Sequence, residues 1–162
     1  MQTPYFRAGA GCVIYNGDGE ILVFKRTGED IWQFGQGGMD AGETPEQTLW
    51  RELEEETALT KNDFIDVKSY PTWTTYEYPD AMQKTVKNPL IIGQAHRWWY
   101  LEINPDTVID LAKAHDKEFE DYKWIPFSEF MTLSTHSFKQ GVYEELYEYF
   151  KNHIISNLTK QN

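Results

Sequence analysis

Cysteine is almost missing from this 162-residue chain. Its single cysteine, Cys12, lies in the apolar run Ala10 to Tyr15. An internal disulfide framework and a cysteine-rich zinc site are therefore excluded, and Cys12 reads as a small core residue rather than a nucleophile. Long hydrophobic runs are missing as well. No stretch approaches the roughly 18 apolar residues of a membrane span, and the N-terminal MQTPYFRAGAG lacks the basic-then-apolar order of a signal peptide. The expected location is the cytoplasm. Positive charge is scarce: 15 Lys and Arg stand against 26 Asp and Glu, a net charge of −11. Duplex DNA and anionic membranes both demand basic surface, so neither is an expected partner. The 4 histidines show no metal-ligand spacing such as H-x-x-x-H. With no repeat, low-complexity tract or Pro/Gly-rich linker, residues 1–162 read as one domain.

What is present is ample apolar and aromatic material, 40% and 15% of the chain, enough to build a core and to disfavour disorder. Arg7 to Tyr15 and Glu20 to Arg26 read as strands, joined through NGDG, whose Asn-Gly and Asp-Gly pairs accept the positive φ of hairpin turns. A glycine-rich loop follows Ile31–Phe34. A helix is then announced by Thr44 as N-cap, Pro45 at its first position and Gln47 completing a capping box, and it runs to about Thr57. Phe64 to Tyr70, Trp73 to Tyr78, Gln94 to Ile103 and Phe119 to Ile125 read as strands, and Asp80 to Pro89 as a loop. Period-2 alternation places one of Trp98 and Trp99 in the core and the other nearer a cleft. From Phe138 to about Asn157, Val142, Leu146, Phe150 and Ile154 recur at helical spacing. The class is α/β or α+β with a mixed β-sheet.

The chemistry concentrates in the helix Pro45 to Thr57 and its run RELEEE. At about 100° per residue, Leu49 and Leu53 form an apolar stripe. Glu56 falls almost on that stripe, Glu52 and Glu55 flank it, and Arg51 and Glu54 fall on the far side. Like charges at i,i+3 and i,i+4 are mildly unfavourable, a carboxylate drawn toward a core is costly unless paired or metal-bound, and the C-terminal half of a helix disfavours negative charge. A hard divalent cation, Mg²⁺ or Mn²⁺, reverses each of these penalties. The alternative is a solvated acidic face.

In register with the helix, Gly37, Glu43, Arg51, Glu52, Leu53, Glu55, Glu56 and Leu59 match the pattern G-x(5)-E-x(7)-R-E-U-x-E-E-x-G-U, U being bulky and aliphatic. The chain thus resembles the Nudix hydrolase family, with its signature box at 37–59. The pattern's late glycine is Ala58 here. The resemblance implies an α/β/α sandwich and metal-dependent hydrolysis of a diphosphate linked to a nucleoside or similar group. By the same resemblance Glu55 and Glu56 would be the main ligands of Mg²⁺ or Mn²⁺. Glu52 would be a further ligand or the general base, the backbone carbonyl of Gln36 another ligand, and Glu43 and Arg51 structural. Gly37 and Gly38 would let the backbone approach substrate closely.

FRAGAG, IWQFGQGGMDAGET, IGQAHRWWYLEI, EFEDYKW and SFKQGVYEEL extend the resemblance to the RNA 5′-pyrophosphohydrolases and asymmetrical dinucleoside tetraphosphate hydrolases within that family. The implied substrates are a nucleoside polyphosphate or a 5′-triphosphate RNA end, with protein partners left open. The resemblance would make Glu118 a metal ligand from outside the box. Arg26, Tyr76, Arg97 and Lys139 would contact phosphates, and Phe138 would stack on a base; taken alone, Glu118 also reads as a surface acid and Phe138 as a core residue. Gly35 replaces the usual proline of this group, and Ile31 its serine. A mononucleotide, ADP-ribose or nucleotide-sugar pyrophosphatase is the alternative enzyme. A catalytically silent relative is the alternative of another class, although no box glutamate is lost.

Overall fold

The computed structural model describes residues 2–133 and 135–159. Its strands are β1 (Tyr5–Tyr15), β2 (Ile21–Arg26), β3 (Trp32–Gln33), β4 (Gly35–Gly38), β5 (Phe64–Ser69), β6 (Thr74–Glu77), β7 (Ile91–Ile103) and β8 (Phe119–Ile125). The helices are α1 (Pro45–Thr57), α2 (Asp80–Gln83), α3 (Phe127–Phe130), α4 (Gln140–Tyr149) and α5 (Ser156–Thr159), with a π-helical stretch, Phe150–Ile155, joining the last two. The sheet runs β3-β2-β1-β7-β5, with β4 on β1, β6 on β7 and β8 on β2. Among the described residues only β1 and β7 pair in parallel, from Tyr5 opposite Ile91 to Tyr15 opposite Glu102. No helix among the described residues is long and apolar enough to cross a membrane.

Side-chain alternation along the central strands divides the core in two. Ala10, Cys12 and Ile14 of β1, Leu22 and Phe24 of β2, and Trp99, Leu101 and Ile103 of β7 pack with Leu49, Leu53 and Leu59 on the α1 side. Val13, Tyr15, Ile21, Val23, Trp98 and Tyr100 face the other way, onto Val142, Leu146, Phe150 and Ile154 of the C-terminal helix. This is the α/β/α arrangement, and it follows from strands whose two faces are both apolar. It also buries both tryptophans: Trp99 lies under the α1 layer, and Trp98 donates Nε1–H to Thr74 Oγ1 at 2.8 Å. Neither is a cleft residue, contrary to the expectation for one of them.

Other departures have local causes. The glycine-rich loop is in part the strand β4, paired antiparallel with β1 from Gly9 opposite Gly38 to Cys12 opposite Gly35. Glycine has poor strand propensity, but here close approach decides. A Cβ on Gly9 would strike the carbonyl oxygen of Gly37 and the ring of His96, and one on Gly11 the ring of Trp98. The β1–β2 turn is wound around Asn16, whose Oδ1 accepts from the amides of Asp18 and Glu20 at 3.0 Å each, and only Gly19 there takes positive φ. The polar stretch after β6 holds the short helix α2, tied back by Gln83 Nε2 donating to the carbonyls of Pro89 and Ile91. The C-terminal helix begins at Gln140 after a 3₁₀ turn, Ser137–Lys139.

Candidate active site

Helix α1 starts as its sequence dictates. Gln47 N–H donates to Thr44 Oγ1 at 3.2 Å, and the Gln47 side chain accepts from Thr44 N–H at 2.9 Å, a reciprocal capping box with Pro45 at the start. It ends at Ala58, held in the left-handed region at φ 65°, whose N–H returns to the Glu54 carbonyl at 2.9 Å. Between these caps, Leu49 and Leu53 dock the helix on the sheet and draw Glu56 inward with them.

Arg51 organises the flank. Its guanidinium meets Glu43 twice, Nε to Oε2 at 2.6 Å and Nη2 to Oε1 at 2.8 Å. It also donates to Glu52 Oε1 at 2.8 Å, to Glu55 Oε2 at 3.3 Å and to the Gly38 carbonyl at 2.9 Å. The wheel put Arg51 on the far side of the helix; its long stem carries the fork back to the carboxylates, as a rigid planar donor allows. Arg51 pulls the Glu43 carboxyl down to about 2, with help from the Asp40 amide. Glu54 is exposed.

Glu56 is the anomaly. It is 1% exposed, and neither carboxylate oxygen has a hydrogen-bond partner among the described residues. Burial raises its pKa well above the ordinary value, and the charges of Glu118, Glu52 and Asp116 push the same way. Glu52, half buried against Gly37, is raised too, by burial first and by Glu55 and Glu118, with Arg51 opposing. A Cβ on Gly37 would overlap the Glu52 carboxylate, so this glycine is what lets strand and carboxylate meet. The Met39 amide donates to the Ala8 carbonyl at 3.0 Å. By the alternation of an antiparallel ladder, the carbonyls of Gln36 and Gly38 then point away from β1, and Arg51 takes the second of them.

Clustered hard oxygens around a buried carboxylate that lacks any donor fit a hard divalent cation. In the present side-chain arrangement, no three acidic, histidine or cysteine side chains among the described residues converge closely enough to hold one ready-made. Arginines occupy the acids instead: Arg51 holds Glu52 and Glu55, and Arg26 lies 3.3 Å from Glu118.

Glu118 also borders a cleft of about 410 Å³. Of the sequence-predicted residues, Arg26, Gln36, Tyr76, Phe138 and Lys139 line it together with Glu118. Arg26 is steered by Glu29 at 2.7 Å and Gln33 at 3.3 Å. Lys139 is 8% exposed, stands 5.7 Å from the Tyr76 ring centroid, and is brought down to about 8 by burial and then by Arg26, with Glu118 opposing. The Tyr76 hydroxyl donates to Gln94, which in turn donates to Tyr78 at 2.9 Å. Phe138 packs at the core's edge against Tyr76, centroids 5.4 Å apart, and stacks with His136 at 5.1 Å, so it is both a packing residue and a cleft wall.

Arg97 is not brought to this cleft. Strand alternation turns it to the opposite sheet face from Gln94 and His96, where it donates to the Pro71 carbonyl at 3.4 Å and lies over Trp73. Glu29, Met82 and His136 line the cleft without having been singled out in the sequence. Glu29 had a signal, three residues after Arg26; Met82 and His136 arrive by tertiary packing alone.

The family pattern for the NUDIX domain matches residues 5–146. The RNA pyrophosphohydrolase of Pseudoalteromonas translucida is 38% identical over 151 residues, spanning 93% of this chain and 87% of that protein. The RNA pyrophosphohydrolase of Francisella tularensis subsp. mediasiatica is 35% identical over 150 residues, 92% of this chain and 96% of that protein. Among solved structures, the E. coli dihydroneopterin triphosphate pyrophosphohydrolase superposes with a TM-score of 0.69 at 20% identity, over 89% of this chain and 97% of that one. A C. elegans Ap4A hydrolase complex does so with 0.62 at 20% identity, over 88% and 98%. At such identity the structural likeness speaks to the fold alone. The sequence relatives and the pattern match over 5–146 go further: the chain belongs to the Nudix hydrolase family.

Proposed function

We propose that this protein removes pyrophosphate from 5′-triphosphorylated RNA ends in a reaction that depends on Mg²⁺ or Mn²⁺. The observation that carries the metal-dependent reading is the buried, unpartnered carboxylate of Glu56 facing Glu118, which itself borders a cleft furnished with Arg26 and Lys139. The sequence relatives named RNA pyrophosphohydrolase support the substrate. Glu52, Glu55, Glu56 and Glu118, with the Gln36 carbonyl, would hold the ion. A divalent ion bound there lowers the pKa of water and neutralises phosphate oxygens.

The chain's own groups do the rest. A bound ion would offset the mutual repulsion of Glu56 and Glu118. Arg51 keeps Glu43 fixed through two hydrogen bonds and orients Glu52 and Glu55. Glu52, raised by burial, accepts the proton of the attacking water or serves as a further ligand. Arg26 and Lys139 grip the polyphosphate, with Tyr76 beside Lys139. At the β4 backbone Gly37 makes room for the Glu52 carboxylate and Gly38 for the Arg7 guanidinium, and Phe138 offers a ring face to a nucleobase. Water adds to one phosphorus, pyrophosphate departs, and the RNA keeps a 5′-monophosphate. On this reading the whole chain would act as one Nudix unit, and it would meet its RNA substrate in the cytoplasm.

A second reading, hydrolysis of dinucleoside tetraphosphates, is favoured by the net charge of −11, because a short polyphosphate needs no basic groove. Measuring kcat/KM on a triphosphorylated short RNA and on diadenosine tetraphosphate under the same conditions decides between them. Preference for the RNA with release of pyrophosphate is expected. Preference for the dinucleotide, giving ATP and AMP, establishes the second reading in its place.

A further inference from the structure

Strand β5 forms one edge of the sheet. It pairs with β7 and with no other strand among the described residues. The register fixes which of its backbone groups face out. Asp66 lies opposite Glu102 and Lys68 opposite Tyr100, and Tyr70 N–H donates to the Trp98 carbonyl at 2.8 Å. By the alternation of an antiparallel ladder, the backbone groups of Asp66, Lys68 and Tyr70 turn to β7, and those of Val67 and Ser69 turn outward. The outward Val67 N–H meets only its neighbour's side chain, donating to Asp66 Oδ1 at 2.9 Å, while Asp66 Oδ2 pairs with Lys68 Nζ at 3.2 Å. Both contacts are exposed and replaceable. Beside this row stand two apolar side chains, Ile65 at 58% and Val67 at 37% exposure. An open row of strand donors and acceptors next to apolar side chains is a template for another strand.

The order Ile65-Asp66-Val67-Lys68-Ser69 selects that strand. Its charges stand one residue either side of Val67 and are opposite in sign. When two copies of β5 run antiparallel about a two-fold axis at Val67, Val67 faces the partner's Val67, Asp66 faces the partner's Lys68, and Lys68 faces the partner's Asp66. The outward parity of Val67 makes the central pair a hydrogen-bonded one, each copy's N–H donating to the other's carbonyl. The two charged pairs then occupy the closer, non-hydrogen-bonded positions, where opposite charges interact most readily. A foreign strand would need this reversed charge order by coincidence, whereas a second copy has it by symmetry. The net charge of −11 opposes self-association at long range. Exposed charges more than about 8 Å apart are largely screened at physiological salt, however, and Phe64–Ser69 itself carries one charge of each sign.

We propose that two copies of this chain join edge to edge through β5, continuing the sheet across a two-fold axis at Val67. The strand shares no residue with the lining of the catalytic cleft, so each copy keeps its own site. A single strand pair is a small interface, and the association is of the weak, concentration-dependent kind.

Sedimentation velocity of the full chain over a concentration series tests this. The mass should rise with concentration from 19.0 kDa toward twice that value. Val67→Pro removes an outward N–H, which an edge strand tolerates, and should abolish the rise. Asp66→Lys and Lys68→Asp each set like charges opposite one another and should weaken the pair by on the order of tenfold. Mixing these two single variants restores opposite charges at both positions, and the mixture should associate as the wild type does. Circular dichroism checks that each variant keeps its fold, and the charge variants carry the test where the proline disturbs β5. A wild type that stays at 19.0 kDa throughout overturns the proposal. So does wild-type association of either single charge variant, or a mixture that associates no better than its components.

Discussion

Neutralising Glu56 separates two effects that the native residue combines. Glu56→Gln removes a proposed metal ligand, and since loss of even outer groups around a metal costs about 10–100-fold, turnover should fall by on the order of 10²-fold or more at saturating Mg²⁺. Glu55→Gln should also lower turnover. Metal-free stability moves the other way. Burial raises Glu56's folded pKa above its unfolded value of about 4.5, so between those two values the folded state holds the extra proton and stability falls as pH rises. His96 has the opposite sign: burial brings it down to about 3 from 6.5, and its contribution is lost as pH falls through that interval. The difference in Tm between metal-free wild type and Glu56→Gln isolates the glutamate; it should grow in favour of the variant as pH rises above about 4.5. A difference independent of pH would contradict the burial of an unpaired carboxylate. Lys139 offers a separate check. With its pKa brought down to about 8, the ammonium is lost above that pH, and kcat/KM should decline there toward the value of Lys139→Met, whose own profile should be flat across that step.

At the scale of elements, α1 and its caps carry the box. Ala58 stands in the left-handed region at φ 65°, where a Cβ costs about 1 kcal/mol. Ala58→Gly should therefore raise Tm by about 2–4 °C for a chain of this size without altering metal affinity, a comparison that differential scanning calorimetry makes directly. Thr44→Ala should cost about 1 kcal/mol by opening the capping box. This element was legible because its signals are local: a cap, a proline and two leucines a turn apart fix both ends and the buried face. β4 was not, because nothing within Gly35–Gly38 encodes a strand; its pairing is created by Gly9 and Gly11 on another element. Glu118 was legible as a site residue only through resemblance, since only the register of β8 brings it to Arg26 and the cleft. Arg97 shows the reverse case: a plausible residue type whose strand parity turns it away from the cleft, to the Pro71 carbonyl and the Trp73 ring.

For the molecule as a whole, a net charge of −11 and a cleft served by few cations predict weak dependence on salt. If only Arg26 and Lys139 neutralise phosphates, log(kcat/KM) on RNA should fall with log[salt] with a slope of about −1.4, from about −0.7 per contact on single strands. A slope several times steeper would reveal a basic track that the described surface lacks. On the proposed function the acidity has a consistent meaning: the protein would grip a terminal polyphosphate rather than a long backbone, and the carboxylates would rely on a divalent ion to bring that anion in. The most direct measurement is a Mn²⁺ titration read by electron paramagnetic resonance, on wild type and Glu56→Gln, paired with pyrophosphate release from triphosphorylated RNA in the same samples. The predicted result is Mn²⁺ bound by the wild type, binding strongly weakened in the variant, and release that tracks bound metal. Mn²⁺ binding unchanged by the substitution, or full release with no divalent ion present, would contradict the account.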